Sequence, residues 1–523
     1  VGLLLLGLII RVIIAIWLHP GFDEAYYYLY TLHPDWSYFD HPPLVGVITA
    51  LGPWVLGDVS GFSIRLGSLL LYTGSLLFLY LAAEQLFSAA AGLLTVALAT
   101  AVPIFQIGFG ILTLPDSPLV FFWSATLYVA ACEFFPSTHA TGICPYQPSS
   151  RVALISLLVG LASLGKYHGF ALGFGLVCFC LLSSTHRRVF LSPWLPLGFA
   201  LFLLALTPVL IWNLQHDWIS LRFQSGRALP ASGYRLGDLL LTVLTGIGLL
   251  FPTLGVPLWW ISLRATGLVV WSRLQGLGLG SEGWKQVLIL CISLPLVIGF
   301  TFMGGYRQIL PTWPMPGFWG LTILLGHQAT FWQQPHPQWV RRWLWGSGMM
   351  VTVLMVLTLV HTSAGLVQKP GNYSFLGQFW AAESDPSTQL IDIRQLRQGF
   401  VTSPILKTAL EASDFVFTNR YFLGGQIGMA LQPLGDHPLT CFDSDLRGFA
   451  FWSTPDQWLG QNALYVTSAL FQQGEDPVAR YGDYFESLTP IGEIPIRRGG
   501  EVVQTFLVYE AKQLLKPYPR PYG

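Results

Sequence analysis

Eleven apolar stretches separated by polar loops run from the start of the chain to about residue 362. Crossing a bilayer takes roughly 20 predominantly apolar residues. Candidate spans fall at about 1–18, 63–83, 87–109, 117–135, 152–165, 169–184, 193–213, 237–262, 286–303, 309–327 and 343–362. Only 10% of the 523 residues are charged and 53% are hydrophobic, whereas soluble domains carry about 25% charged residues. A multi-pass membrane protein is the class this pattern permits. The chain starts at Val1, so a first span cut short is expected. No small-residue cleavage site follows that run, which reads as an anchor.

The loops carry a second signal. With the N-terminus inside, alternation puts Arg151, Arg187-Arg188, Arg264, Arg273, Lys285 and Arg341-Arg342 all on the inner side. That is the positive-inside distribution. Leu44–Leu56 contains Pro53 and is too short to span, so an interfacial helix on the outer side is expected there. Counting it as a span would throw the Arg pairs to the outside. Residues 366–523 are polar and hold most of the acids. Helix-like stretches near Thr388–Gln398, Ser403–Ser413 and Phe422–Leu431, with strand-like runs at Phe415–Thr418, Ala463–Thr467 and Val502–Val508, predict a small extracytoplasmic α/β domain.

Several chemistries are excluded. Lys+Arg and Asp+Glu balance at 27 each, which argues for no polyanionic partner and no nucleic acid. There is no Gly-rich phosphate loop ending in Lys-Ser/Thr. The six cysteines (Cys132, Cys144, Cys178, Cys180, Cys291, Cys441) have neither zinc spacing nor the clustering of a disulfide framework.

The densest polar segment is Gly21–Val45, GFDEAYYYLYTLHPDWSYFDHPPLV. Adjacent acids, four tyrosines before Thr31 and the stiff turn Asp40-His41-Pro42-Pro43 make it amphipathic in the way of a membrane surface. It resembles the first external loop of the GT-C glycosyltransferases related to protein O-mannosyltransferases and lipid A aminoarabinose transferases. The resemblance recurs more weakly at Leu112–Trp123, Gly165–Phe170, Pro208–Arg227 and Tyr306–Phe318.

That resemblance implies the fold and the reaction. The fold would be mainly α, with about eleven spans in a catalytic domain over 1–365 that includes the external loop 19–62, and an α/β domain over 366–523. A sugar would pass from a polyprenyl phosphate donor to a hydroxyl acceptor in lipid, glycan or protein, at the outer face of an inner or plasma membrane. The alternative is a lipid-linked sugar transporter or a non-catalytic subunit of a glycan assembly complex, which would need no base.

Site residues follow position by position. Asp23 matches the family's catalytic acid, a base for the acceptor hydroxyl; an acid at the end of a span is also inexpensive without any function. Glu24 points elsewhere and takes a supporting role. Asp116, between Pro115 and Ser117-Pro118, suits a helix N-terminus and matches the family's second acid, which places it with Asp23 in the catalytic site, there to position substrate. His41 stands where relatives carry a cation facing the donor phosphate. Arg307, Lys166 and Arg222 are outer-side cations suited to the same phosphate. A divalent metal on Asp40, with His216 as a second ligand, is the one cofactor the resemblance admits.

Overall fold

The computed structural model describes residues 2–136, 146–229, 233–472 and 476–522; Cys144 lies outside them. The chain divides into two compact units. One comprises residues 1–12, 41–48 and 67–354, the other 13–40, 49–66 and 355–523. Residues 13–40 and 49–66 thus group with 355–523.

The helices in order are α1 (Gly2–Trp17), α2 (Phe22–Leu32), α3 (Leu44–Leu56), α4 (Gly61–Leu86), α5 (Ala89–Ala101), α6 (Asp116–Phe134), α7 (Arg151–Gly165), α8 (Gly169–Leu182) and α9 (Trp194–Gln215). They continue with α10 (Ile219–Ala228), α11 (Leu236–Leu249), α12 (Pro252–Leu274), α13 (Ser281–Met303), α14 (Met315–Gln333) and α15 (Pro337–Ala364). Among the described residues, six helices are long and apolar enough to cross a membrane, namely α4, α6, α9, α12, α13 and α15. The pair α1 and α2, bent by 86°, would make a seventh. The other expected spans are helices as well, but α5, α7 and α8 have only 13, 15 and 14 residues.

One expected span is two helices. The stretch 237–262 breaks at Leu250-Phe251, ahead of Pro252, because proline lacks an amide donor and disfavours helical geometry in the residue before it. Phe251 has φ +68°. α11 starts at the end of α13, where the Arg235 amide donates to the Gly305 carbonyl at 2.8 Å. Thr242 packs on Gly304, and Gly246 faces Met315 at the start of α14. α11 therefore stays at that end of the bundle, and α12 is the helix of the two that is long and apolar enough to cross a membrane.

The core of the first unit lies between α5, α6, α13 and α14. Trp123 and Trp319 are fully buried there, and Trp319 Nε1 donates to Ser124 Oγ at 2.8 Å. A buried indole N–H without a partner would be costly, and a serine one helix away supplies it.

In the second unit a five-stranded sheet has the order β4-β3-β5-β7-β6. Its strands are β3 (Phe415–Thr418), β4 (Leu439–Cys441), β5 (Ala463–Ser468), β6 (Phe485–Arg498) and β7 (Glu501–Leu514), following a short pair β1 (Gln368–Lys369) and β2 (Trp380–Ala381). β3 runs parallel to β4 and β5; β7 is antiparallel to β5 and β6. The expected strands β3, β5 and β7 are present, and β4 and β6 are additions. Pro490 and Pro495 hide β6 in the sequence, and its edge position is what tolerates them. Helices α16 (Ile393–Thr402), α17 (Pro404–Ala412) and α18 (Tyr421–Leu431) complete the unit. α18 packs directly on α2. A Cβ at Gly425 would lie 2.4 Å from the Tyr26 amide nitrogen, so only glycine allows this approach.

Candidate active site

Two of the expected residues meet in the first unit. α6 begins at Asp116, and Ser117 Oγ donates to the Phe109 carbonyl at 2.8 Å, fixing the loop that leads into the helix. α7 ends at Gly165 because Lys166 is extended, with φ −157°. A Cβ on Gly165 would come within 2.7 Å of the Leu119 nitrogen, so glycine brings the end of α7 against the first turn of α6. Lys166 Nζ then reaches both oxygens of Asp116, at 2.9 and 2.8 Å. Both side chains are about 90% buried. A charge that far from water needs its counter-ion, and each supplies the other's.

Lys166 also lines a cavity of about 350 Å³ with His41, Tyr167, His168, Gln224, Arg227 and Trp313. Leu296, Phe300 and Met303 make its apolar wall. The Arg227 guanidinium sits 4.8 Å from the centre of the Trp313 ring and 5.4 Å from that of Phe223, a cation held against two aromatic rings. Tyr167 and Ser220 hydroxyls lie 3.0 Å apart and tie the α7–α8 turn to α10.

The other expected phosphate residues are placed differently. Arg307 Nη1 donates to the carbonyls of Arg227 at 2.7 Å and of Gly226 and Leu229 at 3.3 Å. It caps the C-terminal end of α10, where the helix dipole favours a cation. Arg222 is exposed on α10 and does not line the cavity. The arginine that lines the cavity is Arg227. It was recognisable only as one of several outer-side cations, since nothing in the sequence says which of them an aromatic ring would shield.

In the second unit α2 carries the adjacent acids, and they diverge. Asp23 is exposed and Glu24 is buried. Glu24 closes the helix N-terminus by accepting from the Gly21 amide at 3.2 Å. It also receives a bidentate pair from Arg65, Nε at 2.7 Å and Nη2 at 2.6 Å. Arg65 further donates to the carbonyls of Ala15, Leu18 and His19 at 3.0, 2.6 and 3.2 Å. Glu24 thus fixes the bend between α1 and α2. A lone arginine inside the apolar run 63–83 was the signal for its partner, because a buried guanidinium requires one.

Asp40 is embedded in side chains of the same unit. Oδ1 accepts from the hydroxyls of Tyr30 and of Tyr26, the latter at 3.4 Å, and Oδ2 pairs with Arg447 Nη1 at 3.2 Å. Arg447 also binds Asp445 and lies 4.5 Å from the centre of the Tyr421 ring. Burial opposes its charge, but Asp40, Tyr421 and Asp445 outweigh that, so the guanidinium is held more firmly charged than usual. Burial pushes the Tyr421 phenol up to about 12. His216 Nδ1 lies 2.7 Å from the Trp212 carbonyl, with its ring stacked on the Trp212 indole. Among the described residues no three His, Cys, Asp or Glu side chains are grouped to hold a metal ion.

A helical membrane part followed by a small C-terminal sheet domain is the GT-C architecture of membrane glycosyltransferases. Within that class, residues 40–212 match the family model of the dolichyl-phosphate-mannose-protein mannosyltransferases. The fold matches the crystal structure of ArnT from Cupriavidus metallidurans in the apo state over 97% of both chains, with 16% identity and a TM-score of 0.61. The same protein bound to undecaprenyl phosphate matches over 97% of both chains, also at 16% identity, with a TM-score of 0.58. No curated protein sequence matches the chain. The resemblance read from Gly21–Val45 is therefore borne out at the level of fold class.

Proposed function

We propose that this protein is a multi-pass membrane glycosyltransferase that moves a sugar from a polyprenyl phosphate to a hydroxyl acceptor. The observation that carries the reading is the cavity in which Lys166, His41 and Arg227 stand beside the buried Asp116 and apolar walls. A phosphate ester with an isoprenoid tail is anionic at one end and apolar beyond it, and both characters are present in that lining. The 16%-identical ArnT binds undecaprenyl phosphate, which supports the same class of donor here.

In the proposed reaction Asp23 takes the proton from the acceptor hydroxyl while its oxygen attacks the anomeric carbon. The bond from that carbon to the phosphate oxygen breaks, and the electron pair leaves with the polyprenyl phosphate. Lys166 and Arg227, aided by His41, offset the charge on the leaving group. Asp116 holds Lys166 in place. One displacement with one base predicts inversion at the anomeric centre. Asp23 is supported by its match to the family's catalytic acid and by its exposure at the first turn of α2.

The segregated arginines support an active site on the extracytoplasmic face of an inner or plasma membrane, with residues 366–523 as an α/β domain on that face. The acceptor hydroxyl belongs to a lipid, a glycan or a protein. The test is turnover of a labelled polyprenyl phosphate sugar by the purified chain in lipid, with an envelope extract as acceptor. The expected result is acceptor-dependent release of polyprenyl phosphate that is lost in Asp23→Asn. Donor binding without any transfer, unaffected by Asp23→Asn, would favour the transporter or subunit reading.

A further inference from the structure

The segment Tyr373–Trp380 has no part in the reaction above. It follows the last turn of α15, and from Gly371 to Ala382 the chain has no charged side chain. Its large apolar residues face outward: Phe375 is 80% exposed, Phe379 75%, Leu376 53%, Tyr373 49% and Trp380 48%.

The loop beneath them is firmly built. β1 and β2 pair in parallel at its base. The amides of Phe379 and Trp380 donate to the Val367 carbonyl at 3.1 and 3.2 Å, and Ser374 Oγ donates to the Gln368 carbonyl at 2.6 Å. The Trp380 ring lies 6.2 Å from that of His361 in the last turn of α15. His361 is itself held by Asp385 at 3.0 Å, and Asp385 by Arg498 at 3.3 Å. A polar base fixes the loop, and an apolar tip is presented outward.

Five large apolar side chains gathered on one ordered loop mark an interaction surface. Two features select the partner. The loop continues, along the chain, the exposed apolar surface of α15 at Val356, Leu357 and Val360, and α15 is one of the six helices fit to cross a membrane. Tyr and Trp beside Phe and Leu, with no charge, is the composition of the headgroup boundary. A protein partner would normally be met by a polar or charged rim.

We propose that Tyr373–Trp380 is a membrane-surface anchor. It lies at the boundary between headgroups and acyl chains and tethers the C-terminal sheet domain to the bilayer into which α15 inserts. The inference is independent of the transfer reaction.

The test places a photoreactive residue in the full-length chain as Phe379→p-benzoylphenylalanine, ring for ring. The protein is reconstituted in nanodiscs of phosphatidylcholine and phosphatidylglycerol with a fluorescent tracer lipid. The same substitution at Lys512, exposed on β7, is the control. Irradiation is expected to give a lipid adduct at 379 well above that at 512. Equal yields at the two positions, or crosslinking of 379 to a second copy of the chain in place of lipid, would overturn the proposal. Adding Phe375→Asp to the 379 probe chain is expected to cut the adduct while leaving the Tm in detergent unchanged. An unchanged adduct counts against the anchor.

Discussion

Lys166 Nζ lies 2.8 and 2.9 Å from the two carboxylate oxygens of Asp116, in a pair that is about 90% buried. The cation expected to face the donor phosphate is thus already neutralised by an acid of the same unit. On the proposed function, a phosphate entering the cavity would compete with Asp116 for Lys166.

Competition gives Asp116→Asn a definite sign. Removing the carboxylate charge frees Lys166, so polyprenyl phosphate is expected to bind more tightly, read as a lower Kd in a fluorescence binding assay. A weaker Kd would mean that the loss of Lys166 positioning by Asp116 outweighs the release of its charge. Lys166→Ala should do the reverse and also lower the Tm, since breaking a buried pair costs roughly 3–5 kcal/mol.

Arg227 and Arg307 separate by role. Arg227 lines the cavity, while Arg307 caps α10. Arg227→Gln is expected to raise the donor KM by about tenfold or more, the loss of a charge-assisted contact being worth roughly 1.5–3 kcal/mol. Arg307→Gln should lower stability by about 0.5–2 kcal/mol, as for the loss of a helix cap, with a smaller KM change. Donor KM and Tm measured on both variants distinguish them. A larger KM effect at Arg307 would reverse the assignment.

The adjacent acids of α2 should part in the same way. Asp23→Asn removes the proposed base and is expected to cut kcat by about 10²–10⁴ with an unchanged Tm. Glu24→Gln leaves Arg65 with half a partner inside the protein. It should lower the Tm while the surviving folded protein keeps most of its kcat. Steady-state kinetics beside thermal melts show whether the effects divide in this way, and full turnover by Asp23→Asn removes that residue from the mechanism.

Arg447 offers a fourth check. It bridges Asp40 and Asp445 in the C-terminal unit. Arg447→Gln takes the guanidinium away from the buried Asp40 carboxylate, at an expected cost of about 3–5 kcal/mol by the same argument. Adding Asp40→Asn to Arg447→Gln should recover part of that loss, because the buried carboxylate charge is then gone and Asp445, half exposed, stays in reach of water. A double variant no more stable than Arg447→Gln would show that the ion pair is not what the substitution breaks.

Much of this was legible in the chain. The helices of the bundle, the strand–loop–helix unit at Phe415–Leu431 and the divergence of Asp23 from Glu24 follow from composition, hydrophobic periodicity and the roughly 100° turn between neighbours on a helix. These are local properties. The break before Pro252 was not read, because the continuous apolar run 237–262 masked it. Two kinds of fact were not local. Which cation meets which acid (Lys166 with Asp116, Arg65 with Glu24, Arg447 with Asp40) depends on segments 41 to 407 residues apart. So does the choice of Arg227 over Arg307 for the cavity, set by a Trp313 ring and by the free carbonyls of α10. Helices rich in apolar residues followed by a polar α/β end can be read from the chain alone, because burial in lipid forces long apolar runs. The pairings emerge only in the folded molecule, because a buried charge takes whichever partner the packing brings within hydrogen-bond reach.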